Sequence, residues 1–183
     1  IRAYWNADRN QLYVFRLAEH LARFRATLRV ARFDYDRSDE EHIAMVMAAL
    51  RDNYIRYDGY IRLAAYVEGR GRAFATGPVG VMCAGMARAS GPLSGKQVSA
   101  VVVSWRRIDD TSMPPRLKVA ANYHNARLGF LEAHGNGYDE ALFLTREGHV
   151  SEAGGACFMM VREGCLITPA VTDGILESVT RRT

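Results

Sequence analysis

The chain has 183 residues, of which 49% are hydrophobic and 24% charged, and its formal net charge is +4. These proportions exclude a disordered chain, and no apolar run approaches the roughly 20 residues that a membrane-spanning helix needs. Two of the 24 basic residues are lysines, Lys96 and Lys118, and the other 22 are arginines. Because arginine stays protonated in proteins, any amine chemistry in this chain falls to one of those two lysines.

Composition also disfavours several kinds of partner and site. The arginines are interspersed with acidic residues instead of forming a clustered basic surface, so we expect no nucleic-acid partner and no membrane partner. The three cysteines are odd in number and lack CxxC spacing, which predicts free, mostly buried thiols in a reducing compartment and a cytoplasmic protein. The five histidines show no paired spacing, which favours the absence of a metal site.

The first half of the chain predicts a hairpin followed by two helices and three strands. β-rich runs over residues 1–5 and 12–15 flank a polar loop. The next apolar residues recur at helical spacing, at Leu17, Leu21, Phe24 and Leu28. A capping-box signature at Ser38 and Glu41 opens a second helix. Its predicted apolar stripe consists of Ile43, Val46, Met47, Leu50 and Tyr54. The strands are predicted at residues 60–67, 79–84 and 98–104.

The segment 106–115 lacks periodicity and contains Pro114-Pro115, so we interpret it as an interdomain linker. It separates a small N-terminal α/β domain at 1–105 from the beginning of a larger domain at 116–183. The later elements are predicted as a helix over 122–134, strands near 141–145 and 157–161, and a final helix beginning near Thr180. Because the chain starts on a strand and stops as a helix begins, we expect both ends of a longer protein to be absent.

Two glycine-containing motifs fail as nucleotide-binding loops. The stretch 91–97 has phosphate-loop character, but its spacing is one residue short and Gln97 replaces the magnesium-binding hydroxyl residue. We interpret it as a surface turn before a strand. The stretch Gly69-Arg70-Gly71 does not extend to a dinucleotide fingerprint, because Phe74 occupies the position of the third glycine.

Four further elements carry candidate chemistry, and they occur in a fixed order. They are Glu19-His20-Leu21-Ala22-Arg23, Lys118 followed by Asn122-Tyr123, the stretch 148–155 with Glu152 and Gly155, and Thr168-Pro169 before Leu176-Glu177-Ser178-Val179-Thr180-Arg181. This ordered set resembles the branched-chain aminotransferases, within the class IV pyridoxal-phosphate-dependent aminotransferases. The resemblance covers essentially the whole chain. It implies the class IV (D-amino acid aminotransferase-like) α/β fold, with an α+β small domain and a larger mixed α/β cofactor-binding domain, and a homodimer or higher homo-oligomer.

The resemblance also implies a role for each candidate residue toward pyridoxal 5′-phosphate. Lys118 is expected to form the Schiff base and to move the substrate's α-proton, because an amine is needed for both steps. Glu152 is expected to face the pyridine nitrogen, and Tyr123 the phenolate oxygen. The remaining cofactor-binding residues implied by the resemblance are Arg23, Gly155, Val179 and Thr180.

For the substrate, the resemblance implies a Tyr-x-Arg pair, Tyr60 and Arg62, which alternation along a strand places on one face. The implied activity transfers the amino group of L-leucine, L-isoleucine or L-valine to 2-oxoglutarate. Three alternatives stay open within the class, a D-amino-acid transaminase, an amine transaminase and an aminodeoxychorismate lyase. A non-catalytic fragment of such a protein is the fourth.

Overall fold

The computed structural model describes residues 1–68, 74–88 and 97–183. The described chain forms two compact units, Ile1–Ser94 and Gly95–Thr183. The glycine motif at 69–71 and residues 91–96 of the phosphate-loop-like stretch lie outside the described residues. In the part of the chain that the structure describes, no helix is both long and apolar enough to cross a bilayer.

The first unit contains a four-stranded antiparallel sheet and two helices. Its strands are β1 (Arg2–Asn6), β2 (Gln11–Val14), β3 (Gly59–Val67) and β4 (Val79–Ala87), in the order β2-β1-β3-β4. Its helices are α1 (Leu17–Val30) and α2 (Asp39–Asp52). The predicted hairpin, both helices and the two following strands are therefore confirmed. The capping box is also present, because the side chain of each of Ser38 and Glu41 accepts from the other's backbone N–H.

The buried face of α2 differs from the predicted stripe. Val46 and Leu50 enter the core, but the side chain of Ile43 is 41% exposed and Tyr54, beyond the end of the helix, is 79% exposed. The residue buried in their place is His42, whose Nε2 lies 2.5 Å from the Tyr35 hydroxyl and whose Nδ1 lies 2.6 Å from the Ser38 carbonyl oxygen. A pattern of apolar residues misses a histidine whose two ring nitrogens are both hydrogen-bonded.

The second unit is built on a three-stranded sheet covered by one helix. Its elements are β5 (Ala100–Arg106), α3 (Asn122–Gly135), β6 (Glu140–Leu144), β7 (Val150–Ala153), and the antiparallel pair β8 (Met160–Arg162) and β9 (Cys165–Ile167). Strand β6 lies between β5, to which it is parallel, and β7, to which it is antiparallel. A parallel pair needs a crossover connection, and α3 supplies it. The chain beyond β9 adds single 3₁₀ turns at Val171–Asp173 and Thr180–Arg182.

The division between the units falls before β5, whereas the sequence indicated a linker at 106–115. The reason is pairing, because β5 is hydrogen-bonded to β6 of the second unit. Strand periodicity shows that 100–106 is extended but does not show which strand is its partner. Two other boundaries also differ from prediction. The strand expected at 157–161 is β8, which spans Met160–Arg162. The helix expected to begin near Thr180 is a single 3₁₀ turn, Thr180–Arg182.

The core of the second unit leaves no room for a side chain at Gly129 of α3. A Cβ atom there would overlap Cζ of the fully buried Phe143 and lie 2.8 Å from its Cε1. We expect Gly129→Ala to lower the free energy of unfolding by about 1–3 kcal/mol through overpacking, as measured by urea denaturation. Gly135→Ala is the matched control, because no atom of the described residues lies within 4 Å of its Cβ position and alanine favours helix. Equal stability of the two variants would contradict this packing.

Candidate active site

A buried carboxylate lies at the centre of the second unit. Strand β7 carries Glu152, whose side chain is 9% exposed. Its Oε1 accepts a hydrogen bond from Nη2 of Arg107 at 2.5 Å, and its Oε2 accepts one from the backbone N–H of Leu176 at 3.0 Å. Both oxygens are therefore held, and the carboxyl plane has a set orientation.

Arg107, the partner of this carboxylate, was not predicted from the sequence. It follows β5, where its backbone N–H donates to the Leu144 carbonyl at 2.9 Å, and its Nε donates to the Gly174 carbonyl at 3.0 Å. The ion pair thus joins β5, β7 and the loop at 174–176. One arginine among 22, in a segment interpreted as a linker, carries no sequence signal of burial.

Burial and neighbouring charges act in opposite directions on this pair. Burial raises the pKa of Glu152 above its ordinary value of 4.5, and Arg107, the Leu176 N–H and Lys118 each act to lower it. Burial likewise lowers the pKa of Arg107, while Glu152 and, to a lesser extent, Tyr123 act to raise it. Four groups, Glu152, Arg107, Lys118 and Tyr123, are therefore electrostatically linked. A further cation placed against Glu152 would favour its charged form.

The second feature of this site is a contact between an amine and a phenol. Nζ of Lys118 lies 2.6 Å from the Tyr123 hydroxyl and 5.2 Å from the centre of its ring. Tyr123 projects from the first turn of α3 and is 39% exposed. Both side chains are accessible to a ligand, so the amine is oriented by its neighbour without being buried.

The other residues predicted for the second unit lie on its loops. Gly155 follows β7 and is exposed, and no atom of the described chain lies within 4 Å of its Cβ position, so open space adjoins the backbone there. Val179 is buried and Thr180 is exposed, where the last 3₁₀ turn begins. The Ser178 hydroxyl accepts from the Arg181 N–H at 3.0 Å and shapes that turn.

The remaining predicted residues belong to the first unit. Arg23 lies on α1, with Nη2 3.4 Å from Nδ1 of His20. Tyr60 and Arg62 lie on one face of β3, opposite to Ile61, which is only 1% exposed and packs in the core. Arg88 places its guanidinium 5.7 Å from the centre of the Tyr60 ring.

The cysteines and the potential metal ligands give a simpler result. All three cysteines are free, and Cys165 is exposed on β9, whereas mostly buried thiols were expected. The short β8–β9 hairpin leaves both strands exposed, which accounts for the difference. Burial raises the pKa of the Cys83 thiol. Within residues 1–68, 74–88 and 97–183, no group of three or more His, Cys, Asp or Glu side chains is arranged to hold a metal ion.

Residues 4–183 match the amino-transferase class IV family, and this chain belongs to that family. A probable branched-chain-amino-acid aminotransferase of Aquifex aeolicus is 36% identical over 99% of this chain and 59% of its own length. A putative branched-chain-amino-acid aminotransferase of Methanocaldococcus jannaschii is 34% identical over 92% of this chain and 58% of its own length. The chain therefore spans less than two thirds of these relatives. The sequence-based resemblance is confirmed.

Solved structures confirm the fold class. The branched-chain amino acid aminotransferase of Thermobaculum terrenum, in its PLP form, superimposes with a TM-score of 0.92 at 38% identity, over 100% of this chain and 60% of that one. The Escherichia coli branched-chain amino acid aminotransferase superimposes with a TM-score of 0.91 at 28% identity, over 100% and 61%.

Proposed function

We propose that this protein is a pyridoxal-phosphate-dependent transaminase of branched-chain L-amino acids. It transfers the amino group of leucine, isoleucine or valine to 2-oxoglutarate, giving a branched-chain 2-oxo acid and L-glutamate. The observation that carries the proposal is the pairing in one unit of an accessible Lys118–Tyr123 contact with a buried Glu152. Membership of the class IV aminotransferases supports it.

The residues of the second unit fit the chemical groups of this cofactor. Its aldehyde needs an amine, its phenolic oxygen a donor, and its pyridine nitrogen a carboxylate, and Lys118, Tyr123 and Glu152 supply them in that order. No atom of the described residues lies within 4 Å of the Cβ position of Gly155, which leaves room for a flat ring beside the backbone. When bound, the cofactor withdraws electrons from the substrate's α-carbon, so that the α-proton can leave.

Each of these side chains has a distinct task. The Lys118 amine holds the cofactor at rest and carries the α-proton at its Nζ. The Tyr123 hydroxyl, 2.6 Å away, orients that nitrogen. Glu152 keeps a proton on the facing pyridine nitrogen, because a carboxylate next to a nitrogen favours the protonated form. The Arg107 ion pair and the Leu176 N–H prevent the carboxylate from turning away.

The cofactor phosphate is assigned to Arg23, with the backbone N–H groups of Val179 and Thr180 and the Thr180 hydroxyl. A guanidinium can bind two phosphate oxygens at once, and N–H groups at the start of a helical turn add further donors. We also propose a cytoplasmic homo-oligomer.

The direct test combines cofactor loading with turnover. The purified protein is incubated with pyridoxal phosphate, and L-leucine with 2-oxoglutarate is expected to yield L-glutamate. D-alanine, a primary amine and aminodeoxychorismate are assayed in parallel. Preference for any of these over L-leucine would assign one of the other class IV activities, and cofactor binding without turnover of any substrate would identify a non-catalytic protein.

Substrate recognition is tested at Tyr60 and Arg62, whose side chains share one face of β3. We expect the double variant Tyr60→Phe, Arg62→Ala to raise the KM for L-leucine at least about 10-fold, since losing a charged hydrogen bond costs about 1.5–3 kcal/mol. Arg56→Ala, outside the predicted site, is the control. Unchanged turnover of L-leucine in the double variant would refute this substrate assignment.

A further inference from the structure

The side-chain amide of Asn122 bridges two backbone carbonyls in the segment that leads to Lys118. Its Nδ2 donates to the Pro114 oxygen at 2.9 Å and to the Leu117 oxygen at 3.0 Å, and the residue is 5% exposed. Only the amide nitrogen can donate to carbonyls, so the orientation of the side chain is determined by these two bonds. The segment 114–117 is thereby tied to the start of α3.

The amide oxygen of Asn122 shows that this arrangement is not simply a well-satisfied core contact. In the part of the chain that the structure describes, Oδ1 is buried and has no hydrogen-bond partner. An unpaired buried acceptor is unfavourable, and an apolar residue of similar size would avoid it. What such a residue cannot do is hold the two carbonyls.

The hydrogen bonds of Asn122 and the contact between Lys118 and Tyr123 connect the same two parts of the chain, the segment 114–118 and the first turn of α3. Leu117, whose carbonyl is held, is the neighbour of Lys118 in the chain, and Tyr123, which contacts Nζ of Lys118 at 2.6 Å, is the neighbour of Asn122. The first turn of α3 therefore holds the backbone next to Lys118 and also carries the hydroxyl that orients the Lys118 side chain. Without these two hydrogen bonds, we expect the segment 114–118 to move more freely relative to α3 and the contact between amine and hydroxyl to weaken.

We propose that Asn122 is a positioning residue for Lys118, which rests on the proposed function of that lysine. Asn125, one turn further along α3, supports the inference. Its Nδ2 donates to the Arg106 carbonyl at 3.1 Å, and its own buried Oδ1 also has no partner among the described residues. Each cation of the site, Arg107 and Lys118, thus directly follows a residue whose carbonyl is held by an asparagine of α3.

The test compares Asn122→Ala and Asn122→Asp, which has the shape of asparagine but cannot donate, with Ser99→Ala. Ser99 also makes two side-chain hydrogen bonds in the second unit, both to Asp139, at the end of β5 away from Arg106. In cofactor-free protein, we expect amide hydrogen exchange of the peptide 116–121 to be at least about 10-fold faster in both Asn122 variants and unchanged in Ser99→Ala.

The second readout uses the two lysines of the chain as an internal comparison. After incubation with pyridoxal phosphate and borohydride reduction, the ratio of cofactor on Lys118 to cofactor on Lys96 is expected to fall about 10-fold in the Asn122 variants only. In turnover, kcat falls while the KM for L-leucine is retained, because the substrate residues are untouched.

The possible results separate this proposal from the proposed function. Normal exchange and a normal lysine ratio in both Asn122 variants would overturn the positioning role. Equal changes in Ser99→Ala would also overturn it, because they would reflect general loss of stability. If the unmodified protein carries cofactor on neither lysine, the proposed function fails, and the exchange measurement still decides whether Asn122 holds the segment.

Discussion

Lys118→Ala is expected to abolish covalent attachment of pyridoxal phosphate and to lower kcat for L-leucine by at least about 10⁴-fold, because removing a nucleophile that also moves the proton leaves no substitute. Lys118 contacts the Tyr123 hydroxyl at 2.6 Å, and the chain has only one other lysine. The measurements are absorbance of the protein-bound cofactor, peptide mapping after borohydride reduction, and steady-state turnover.

Two matched variants show whether charge or amine chemistry is responsible. Lys118→Arg retains a positive charge near Tyr123 and Glu152, but a guanidinium stays protonated, so we expect the same loss as for alanine. Lys96→Arg makes the same exchange at the other lysine, and we expect full activity. Retained activity in Lys118→Arg, or loss of it in Lys96→Arg, would assign the chemistry elsewhere.

Arg107→Met is expected to lower the free energy of unfolding by about 3–5 kcal/mol, which is the usual cost of leaving one charge of a buried ion pair without its partner. Arg107 and Glu152 have side chains that are only 5% and 9% exposed, and their charged atoms lie 2.5 Å apart. Chemical denaturation measures the loss. The double variant Arg107→Met, Glu152→Gln removes both charges, and we expect it to recover much of the stability.

The pH dependence of this loss gives an independent check. The pKa of Glu152 is raised above 4.5 by burial, so between 4.5 and the raised pKa the folded state binds more protons than the unfolded state. Its contribution to stability is therefore complete below pH 4.5 and is lost as pH rises through the raised pKa. Removing Arg107 raises that pKa further, so the loss in Arg107→Met is expected to be larger at pH 8 than at pH 5. A pH-independent loss would contradict this account.

Local elements were largely predictable from the sequence because their signals lie within a few neighbouring residues. The capping box at Ser38 and Glu41 and the helical spacing of α1 depend on contacts three or four positions apart. Lys118 and the Asn122-Tyr123 motif that follows it are likewise close in the sequence, and Tyr123 is five positions from Lys118. Family resemblance supplied the candidate roles of Glu152, Thr180 and Arg23, which stay predictions for the tests above.

Features that depend on distant partners were missed. Arg107 and Glu152 are 45 positions apart, and they meet because β5 and β7 both pair with β6. The same pairing assigns β5 to the second unit, and the hydrogen bonds of His42 explain why a polar residue is buried on α2.

The sequence by itself determined which two residues can supply an amine, most of the helices and strands of the first unit, and which family the chain belongs to. Those properties follow from residue type, from spacing between close neighbours and from the order of motifs along the chain. Only the tertiary structure decided which arginine neutralises Glu152 and which asparagine holds the segment before Lys118. Burial and hydrogen bonding depend on a site that is assembled from several strands and a helix. Residues of the same type therefore acquire different roles only when the fold buries some of them away from water.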